Sequence, residues 1–343
     1  MPALQHPKLR VAAVQAAPEF LDLEATIDKT IAYMERAANQ GVELIAFPET
    51  WIPGYPWWIW LAAPALGMQY VQRYFDNALA VESAEFQRLA DAARQCNIWL
   101  STGYSERSGG SLYMGQALID NQGKTVLTRR KLRPTHVERS VFGDGDGSDL
   151  SVAATAIGNV GMLNCWEHLQ PLSKYAMYAQ NEQIHVAAWP SFSVYRGGAH
   201  ALGAEVNNAA SRVYAVEGGC FVIAPCATVS AKMQELLCTD EMQRQFLLQG
   251  GGFARIYAPD GSELGNRLEE TEEGLVVADI DLGMIAQAKA AADPAGHYAR
   301  PDATRLLLNK TPGTRVISQV PEGSSWREMP ASATPAVVAA VAE

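Results

Sequence analysis

The chain has 343 residues, of which 48% are hydrophobic and 19% are charged, a balance typical of a soluble globular protein rather than a disordered or coiled-coil chain. This length excludes a disulfide-stapled miniprotein and allows one large domain or two to three ordinary ones. The 27 basic residues against 37 acidic ones give a formal net charge of -10, which argues against a nucleic-acid partner and favours a neutral or cationic small ligand.

The cysteines and the N-terminal segment predict where the protein works. The five cysteines are odd in number, lie mostly in apolar runs and form no CxxC pair, so we expect reduced thiols. No apolar run near the N-terminus is long enough for a signal peptide, which predicts a cytoplasmic protein. Residues 51–71 carry no charge, but Pro53, Pro56 and Pro64 break a helix there and argue against a membrane span.

Short apolar runs recur along the chain and predict β-strands. The predicted strands are Leu9–Val14, Val42–Phe47, Ile98–Gly103, Leu112–Ile119, Val160–Asn164, Ile184–Trp189, Cys220–Pro225, Phe253–Tyr257 and Leu275–Ile280. Between the first two, Ile27, Ile31, Met34 and Ala38 share one helical face, and Gly41 is placed to end that helix. The sequence therefore begins with a β-α-β unit.

Further helices are predicted at Ser83–Gln95, Pro171–Gln180 and Ala201–Glu217. Residues 121–123 (Asn-Gln-Gly) and 259–261 (Pro-Asp-Gly) predict tight turns between antiparallel strands, so the sheet is expected to be mixed. We expect one α/β domain over residues 1–311. The remainder, 312–343, is rich in Pro, Ser and Ala and is predicted to be an irregular tail that is mobile or contacts another subunit.

The first candidate for chemistry is Glu49, which directly follows a predicted strand and Pro48. Ligand sites in open α/β sheets lie at the carboxyl ends of strands. An isolated Glu is more often a solvated or capping residue, but aromatic rings that could line an apolar pocket crowd the next eleven positions. These rings belong to Trp51, Tyr55, Trp57, Trp58 and Trp60.

The second candidate is the basic segment 129–139, with the sequence RRKLRPTHVER. By composition alone, most such charge runs are solvated surface loops. His136 has no spaced partner that would indicate a catalytic or metal role, and a single such His is usually structural.

The third candidate is Cys165, at the end of a predicted strand and before a predicted helix. Free Cys usually behaves as a small core hydrophobe. A thiol near a helix N-terminus and near cations can gain thiolate character, a setting that Cys96, Cys220 and Cys226 lack.

Two apparent metal motifs fail on spacing. Residues 144–149 imitate a calcium loop, but Asp149 stands where that motif requires Gly and Thr155 where it requires a bidentate Glu. Cys165 and His168 lack a second ligand pair for zinc. We therefore expect no metal.

Together, FPETWIPGYP (47–56), RRKLRPTHVER (129–139) and CWEHLQPL (165–172) resemble the signature segments of the nitrilase superfamily, and of its nitrilase branch in particular. The resemblance extends from about residue 9 to 305 and includes GHYARPD at 296–302. It implies a four-layer α-β-β-α sandwich. It also implies Cys165 as nucleophile, Glu49 as general base, Lys131 as transition-state stabiliser and Glu138 as a supporting acid.

The implied reaction turns a nitrile into a carboxylic acid and ammonia through a thioimidate and a thioester on Cys165, without a cofactor. Amidases and carbamoylases of the superfamily share the Glu, Lys and Cys, so an amide substrate is the alternative reading, and cyanide is a third. The residues 166–168 (Trp-Glu-His) after the Cys resemble nitrilases more than amidases. A catalytically silent scaffold is disfavoured because Glu49, Lys131 and Cys165 are all present.

We expect the substrate pocket to form where the aromatic segment 51–60 meets the segment 189–192. The resemblance also implies a homo-oligomer, either a dimer or a longer spiral. The predicted substrate-binding residues are Tyr55, Trp57, Phe142, Trp166, Trp189 and Phe192.

Overall fold

The computed structural model describes residues 6–194, 199–319 and 326–328. The strands are β1 (Lys8–Ala16), β2 (Leu44–Ala46), β3 (Trp99–Ser108), β4 (Ser111–Ile119), β5 (Thr125–Arg130), β6 (Ala153–Thr155), β7 (Gly158–Asn164), β8 (Ile184–Ala188), β9 (Phe221–Ala224), β10 (Cys226–Ala227), β11 (Arg255–Tyr257), β12 (Glu263–Leu264), β13 (Gly274–Asp281), β14 (Ile317–Gln319) and β15 (Trp326–Glu328). The α-helices are α1 (Leu23–Ala38), α2 (Trp58–Leu61), α3 (Pro64–Asp76), α4 (Ala84–Cys96), α5 (Pro171–Tyr178), α6 (Ala204–Gly218), α7 (Ala231–Leu237), α8 (Glu241–Phe246) and α9 (Met284–Ala291).

Two mixed sheets form the centre of the fold. The first has seven strands in the order β10-β1-β2-β3-β4-β5, with β13 pairing antiparallel to β1. The second has six strands in the order β12-β11-β9-β8-β7-β6. Within each sheet, parallel pairs joined by helices occur beside antiparallel hairpins, as the sequence predicted.

Alternation along β1 shows how the layers stack. Leu9, Val11 and Ala13 belong to the core that also holds strands of the second sheet. The residues between them, such as Ala12 and Val14, pack in a second core with α1 and α4. Since successive side chains of a strand point to opposite faces, β1 is covered on both sides.

The second sheet is covered on its outer face by α5 and α6, whose Met177 and Tyr214 are fully buried with the strands. The architecture is therefore the predicted four-layer α-β-β-α sandwich. Among the helices of the described residues, none combines the length and the hydrophobicity needed to cross a lipid bilayer.

All nine predicted strands are present, and the helix predicted after the first strand is α1. Gly41 adopts a φ of +73°, which an L side chain rarely takes, just past the end of this helix. The predicted turns at 121–123 and 259–261 join β4 to β5 and β11 to β12. The predicted helix Ala201–Glu217 is shorter, because a 3-10 turn occupies His200–Leu202 before α6 begins.

The uncharged segment 51–71 forms no continuous helix, as its prolines predicted. Pro53 and Pro56 lie in the irregular stretch before α2. Pro64 is the first residue of α3, where its missing N–H costs nothing, so it separates α3 from α2 without preventing the second helix.

The predicted tail is partly ordered. Gly313 donates its backbone N–H to Asp146 Oδ2 over 2.6 Å, which ties the chain to the domain beyond residue 311. Strands β14 and β15 pair antiparallel with each other. The rest of the predicted tail, 320–325 and 329–343, lies outside the described residues.

Candidate active site

Glu49 is carried by the loop that follows β2 and is fully buried. Its Oε1 accepts a hydrogen bond from Lys131 Nζ at 2.9 Å, while its Oε2 has no partner among the described residues. The loop lies close against β3, because an added Cβ at Gly103 would stand 2.2 Å from the carbonyl oxygen of Pro48. Glycine at this position lets the carboxylate reach the space between the sheets.

Lys131 directly follows β5 and is fully buried as well. Its backbone N–H donates to the carbonyl of Met114 over 2.7 Å, which continues the strand pairing by one residue. Its ammonium donates to Glu49 and, over 2.8 Å, to Glu138 Oε2. The basic segment is therefore not a solvated loop here, since its third residue lies between two buried carboxylates.

Glu138 lies in the 3-10 helix His136–Ser140 and both its oxygens are bonded. Oε1 accepts from the Tyr55 hydroxyl at 2.8 Å, and Oε2 accepts from Lys131 Nζ and from the Thr135 N–H at 2.5 Å. Both oxygens of Glu138 are thus already hydrogen-bonded, whereas Oε2 of Glu49 has no partner among the described residues. This geometry suits the supporting role that the resemblance implied.

Cys165 is the first residue after β7 and has a φ of +46°. A non-glycine residue in this left-handed region costs about 1–3 kcal/mol, and such strained residues cluster at active sites and ligand clamps. One oxygen each of Glu49 and Glu138 and the thiol sulfur all lie within 4.8 Å of one another. The turn therefore brings the sulfur to the carboxylates.

A 3-10 turn, Cys165–Leu169, begins at the cysteine, and α5 begins only at Pro171. The expected help of a helix N-terminus for the thiolate is therefore weak. Burial instead raises the pKa of the Cys165 thiol well above its ordinary value, and the negative charge of Glu49 adds to this while Lys131 opposes it. The resting thiol is protonated and requires a base.

Burial raises the pKa of Glu49 to about 8, although the Lys131 ammonium opposes this rise and Glu138 reinforces it. A raised pKa suits a residue that must take the thiol proton and later return it. Burial alone would lower the pKa of Lys131, but the two carboxylates overcome it and the net shift is upward. Lys131 therefore stays a cation at neutral pH.

The buried ion pair between Arg129 and Glu167 was not predicted from the sequence. The guanidinium donates to both carboxylate oxygens at 2.6 and 2.9 Å, and Glu167 also accepts the N–H groups of Leu132 and Asn164. Because Arg129 and Leu132 flank Lys131, this clamp joins the lysine segment to the cysteine turn. Arg129 lowers the pKa of Glu167 against the effect of burial. The sequence feature that could have predicted this ion pair is a glutamate and an arginine that each lie beside an apolar strand.

An aromatic pocket opens at the thiol and encloses about 450 Å³, its open mouth included. The predicted residues Tyr55, Trp57, Trp166 and Phe192 line it with Cys165. Additional lining residues that the sequence argument did not single out as binding residues are Trp60, Thr135, Glu138, Pro190, Ser191, Val194, Leu202 and Asn207.

Phe142 and Trp189 are not among the residues that line this pocket. Phe142 packs edge-on against Tyr74. Trp189 lies behind Phe192, at 5.7 Å between ring centroids, and donates its Nε1–H to Ser211 at 2.9 Å. Direct substrate contact by these two residues stays a prediction.

The two carboxylates and the thiol are close enough to share a metal ion. However, both carboxylates already bond the Lys131 ammonium, so a divalent cation would have to displace it. The donor set therefore fits an ion pair formed by the protein itself better than a metal centre.

The chain is similar to known proteins over most of its length. The profile of the carbon-nitrogen hydrolase family matches residues 10–290. A nitrilase of Pseudomonas syringae pv. syringae (strain B728a) is 60% identical over 309 residues, covering 90% of this chain and 92% of the relative. A protein named "Nitrilase, arylacetone-specific" from Alcaligenes faecalis is 53% identical over 314 residues, covering 91% and 88% of the two chains.

Among solved structures, the NitFhit protein of C. elegans superimposes with a TM-score of 0.69 at 20% identity, covering 89% of this chain and 68% of that one. At this identity the likeness concerns the fold alone. The family profile and the sequence relatives go further, and the chain belongs to the carbon-nitrogen hydrolase family and, within it, to the nitrilases.

Proposed function

We propose that this enzyme hydrolyses a nitrile to the carboxylic acid and ammonia, with Cys165 as the nucleophile. The observation that carries the proposal is the approach of the thiol to two buried carboxylates that share one ammonium. Relatives at 60% and 53% identity are named nitrilases, which favours a nitrile over the amide of an amidase or carbamoylase.

Attack on the nitrile begins with transfer of the thiol proton to Glu49, whose Oε2 is unpartnered among the described residues. A pKa of about 8 leaves part of Glu49 ionised at neutral pH and makes its protonated form acidic enough to return the proton. The sulfur bonds to the nitrile carbon, one carbon–nitrogen π bond breaks, and the nitrogen takes the proton. Lys131 stabilises the negative charge that develops on the nitrogen.

The product of this step is a thioimidate on Cys165. A first water adds to its carbon, ammonia leaves from the tetrahedral species, and a thioester remains. A second water, activated by Glu49, releases the carboxylic acid and returns the thiol. If the tetrahedral species expels the thiol instead of ammonia, an amide is released.

Glu138 acts through Lys131, whose ammonium it orients, while Tyr55 and the Thr135 N–H hold its two oxygens in place. Tyr55 holds Glu138 with its hydroxyl and presents its ring to the pocket. A substrate that enters beside this ring therefore lies close to the group that orients Lys131.

The substrate class proposed is a small aromatic or arylacetic nitrile. Five aromatic side chains of the pocket offer faces and edges for a ring, and few polar groups compete for it. The relative from Alcaligenes faecalis carries the name "arylacetone-specific". These rings are Tyr55, Trp57, Trp60, Trp166 and Phe192.

The test is chromatography of acid and amide over time, in parallel reactions started from aromatic, arylacetic and aliphatic nitriles, from their amides, and from cyanide. We expect acid as the main product from nitrile and much slower use of the amide, because the thioimidate already holds its carbon beside Glu49 and Lys131. Equal or faster consumption of the amide would assign the enzyme to the amidases. Preference for cyanide would contradict the organic substrate.

We propose further that the chain works in the cytoplasm as a homo-oligomer, a dimer or a longer spiral. The five cysteines are all free, which suits a reducing compartment. Large apolar side chains are exposed on α5 and α6, including Leu172 at 70% and Val216 at 50%, and such surfaces favour association.

Removing residues 313–343 is expected to leave the domain folded and shift light scattering to smaller species. Loss of the cooperative thermal transition would instead make this segment part of the domain.

A further inference from the structure

Four polar side chains lie behind Cys165, on the side of the second sheet that α5 and α6 cover. They are His168, His185, Glu182 and Tyr214, each at most 1% exposed. None of them lines the aromatic pocket. We call these four residues the histidine chain, and the mechanism above gives them no role.

The histidine chain connects to Cys165 through consecutive short contacts. Nδ1 of His168 lies 2.6 Å from the carbonyl oxygen of Cys165. Its Nε2 lies 2.8 Å from Nε2 of His185, whose Nδ1 lies 2.7 Å from Glu182 Oε1. Tyr214 donates its hydroxyl to Glu182 Oε2 at 2.6 Å, and its ring stacks on His185 at 3.7 Å.

The carbonyl end of the histidine chain sets the position of each proton. A carbonyl oxygen only accepts, so His168 donates from Nδ1. The Nε2 of a neutral His168 is then an acceptor, and His185 donates to it from its own Nε2. This leaves Nδ1 of a neutral His185 as an acceptor, so Glu182 donates from Oε1 as a carboxylic acid.

The surroundings favour neutral groups throughout. Burial lowers the pKa of both histidines well below the ordinary value, and burial raises the pKa of Glu182 to about 8. The titratable or charged groups that also act on the histidine chain are Tyr178 and Cys220 near Glu182 and Tyr214, Arg129 and Glu167 near His185, and Lys174 and Glu167 near His168.

The neighbouring strand makes room for the acid. An added Cβ on Gly161 of β7 would stand 1.9 Å from Glu182 Oε1, so any larger residue there would push the carboxyl group out of line. The position of Glu182 is therefore restricted from the sheet side as well as by its two hydrogen bonds.

We propose that Glu182, His185 and His168 are positioning residues for the reaction at Cys165. Three protons on three consecutive links hold the carbonyl of Cys165, and so keep the left-handed turn that presents the thiol. The inference rests on the proposed function in one respect, namely that Cys165 is the nucleophile.

The proton count makes this arrangement sensitive to alkaline pH. When Glu182 ionises, two protons remain for three links. The link without a proton is then the contact between Glu182 and His185, the contact between the two histidines, or the contact between His168 and the Cys165 carbonyl. Loss of either of the first two weakens the hold on His168, and loss of the third releases the carbonyl of the turn that carries the nucleophile.

The test compares Glu182→Gln with Glu182→Leu. The amide of Gln donates to His185 and accepts from Tyr214, so kcat is expected to stay within about twofold of the parent. The apolar Leu leaves His185 without a donor, and kcat is expected to fall by about tenfold or more with KM little changed. Parental kcat in the Leu variant, or equal impairment of both variants, would overturn the proposal.

The pH profile separates positioning from a merely structural role. The ratio of kcat in Glu182→Gln to kcat in the parent is expected to increase above pH about 8, because the amide cannot ionise. Ionisation of Glu49 affects both enzymes alike and cancels in this ratio. A ratio that stays constant with pH would contradict the proton count.

A spectroscopic measurement needs neither substrate nor variants of Glu182. The chain has six histidines, and nitrogen-15 NMR of their rings, assigned with His→Gln variants of the other four, reports the tautomers. We expect His168 protonated on Nδ1 and His185 on Nε2 at neutral pH. The opposite tautomers, or a doubly protonated His185, would overturn the assignment. This result stands even if the protein hydrolyses no nitrile, so the two proposals fail separately.

Discussion

Two buried polar clusters meet at Cys165 and differ in how their charge is arranged. The charged cluster consists of two cations and three carboxyl groups joined by short hydrogen bonds, and its Glu138 lines the aromatic pocket. The histidine chain contains no such cation, is joined by single protons and does not line the pocket. The members of the charged cluster are Glu49, Lys131, Glu138, Arg129 and Glu167.

This difference shows what each kind of cluster can do. Desolvated charges stabilise a developing charge and move protons, but removing one partner leaves an uncompensated charge in the interior. A neutral hydrogen-bonded chain offers little to a transition state, but it fixes geometry and tolerates any replacement that keeps its donors and acceptors. Substitutions should therefore separate the two clusters sharply.

The largest effect is expected at the junction of the clusters. Cys165→Ala removes the nucleophile and should lower turnover by about 10⁴-fold or more, while thermal unfolding changes little because only the sulfur is lost. Cys96→Ala, on a half-buried thiol at the end of α4, is the control and should keep full turnover. Turnover of Cys165→Ala within about tenfold of the parent, or about 1.4 kcal/mol in barrier height, would remove Cys165 as the nucleophile.

The next effect tests whether the charged cluster works as a unit. Glu49→Gln and Lys131→Ala should each lower kcat by about 10²–10⁴-fold, because base and charge stabiliser act in the same steps. Glu138→Gln should also lower kcat severely, but its effect should be distinguishable from the loss of Glu49 or Lys131, since this residue positions Lys131. The double variant of Glu49 and Lys131 should lose less than the product of the single losses. Full additivity in log rate would contradict a shared site.

A third prediction compares the clusters by stability. Arg129→Met leaves Glu167 buried and unpaired, and the free energy of unfolding should fall by about 3–5 kcal/mol. The neighbouring Arg130→Met is the control, since its ion pair with Glu106 is partly exposed and should cost under about 1 kcal/mol. In the histidine chain, Glu182→Gln should cost under about 1 kcal/mol, because no donor or acceptor is lost. Urea unfolding measures the free energy of unfolding of all three variants. Equal losses of this free energy in Arg129→Met and Arg130→Met would contradict the proposal that Arg129 and Glu167 clamp the two segments together.

The smallest effect concerns pH. The folded-state pKa of Glu49 is raised to about 8 from an ordinary value of 4.5, so the folded protein retains a proton that the unfolded chain releases. Stability from this group is complete below pH about 4.5 and is lost as pH rises through about 8, with a slope of at most about 1.4 kcal/mol per pH unit. The same ionisation supplies the base, so kcat/KM should rise over the range in which stability falls.

Between pH about 4.5 and 8, Glu49→Gln should reduce the slope of the unfolding free energy against pH by the contribution of one proton. Unfolding titrations at several pH values measure the slope, with Glu49→Gln beside the parent. An unchanged slope would show that Glu49 is ionised throughout this range, and would contradict the raised pKa.

Much of the architecture was readable from local pattern. Alternation and apolar runs predicted the strands, and the segments around Glu49, Lys131 and Cys165 predicted the family, which the comparisons confirm. The pattern was less exact at element boundaries, since the helix predicted from Ala201 begins only at Ala204, after a 3-10 turn. Local rules succeed where neighbouring residues determine the conformation, and they fail where position within an element decides it.

The contacts that orient the site were not readable in this way. Tyr55 and Glu138 are 83 residues apart, Arg129 and Glu167 are 38 apart, and each pair meets only because the sandwich brings its two segments together. Chemistry-bearing residues stand out in a sequence because their type and spacing are unusual. Their partners are ordinary polar residues that become significant when packing removes water, because a buried donor or charge must then find its match within the protein.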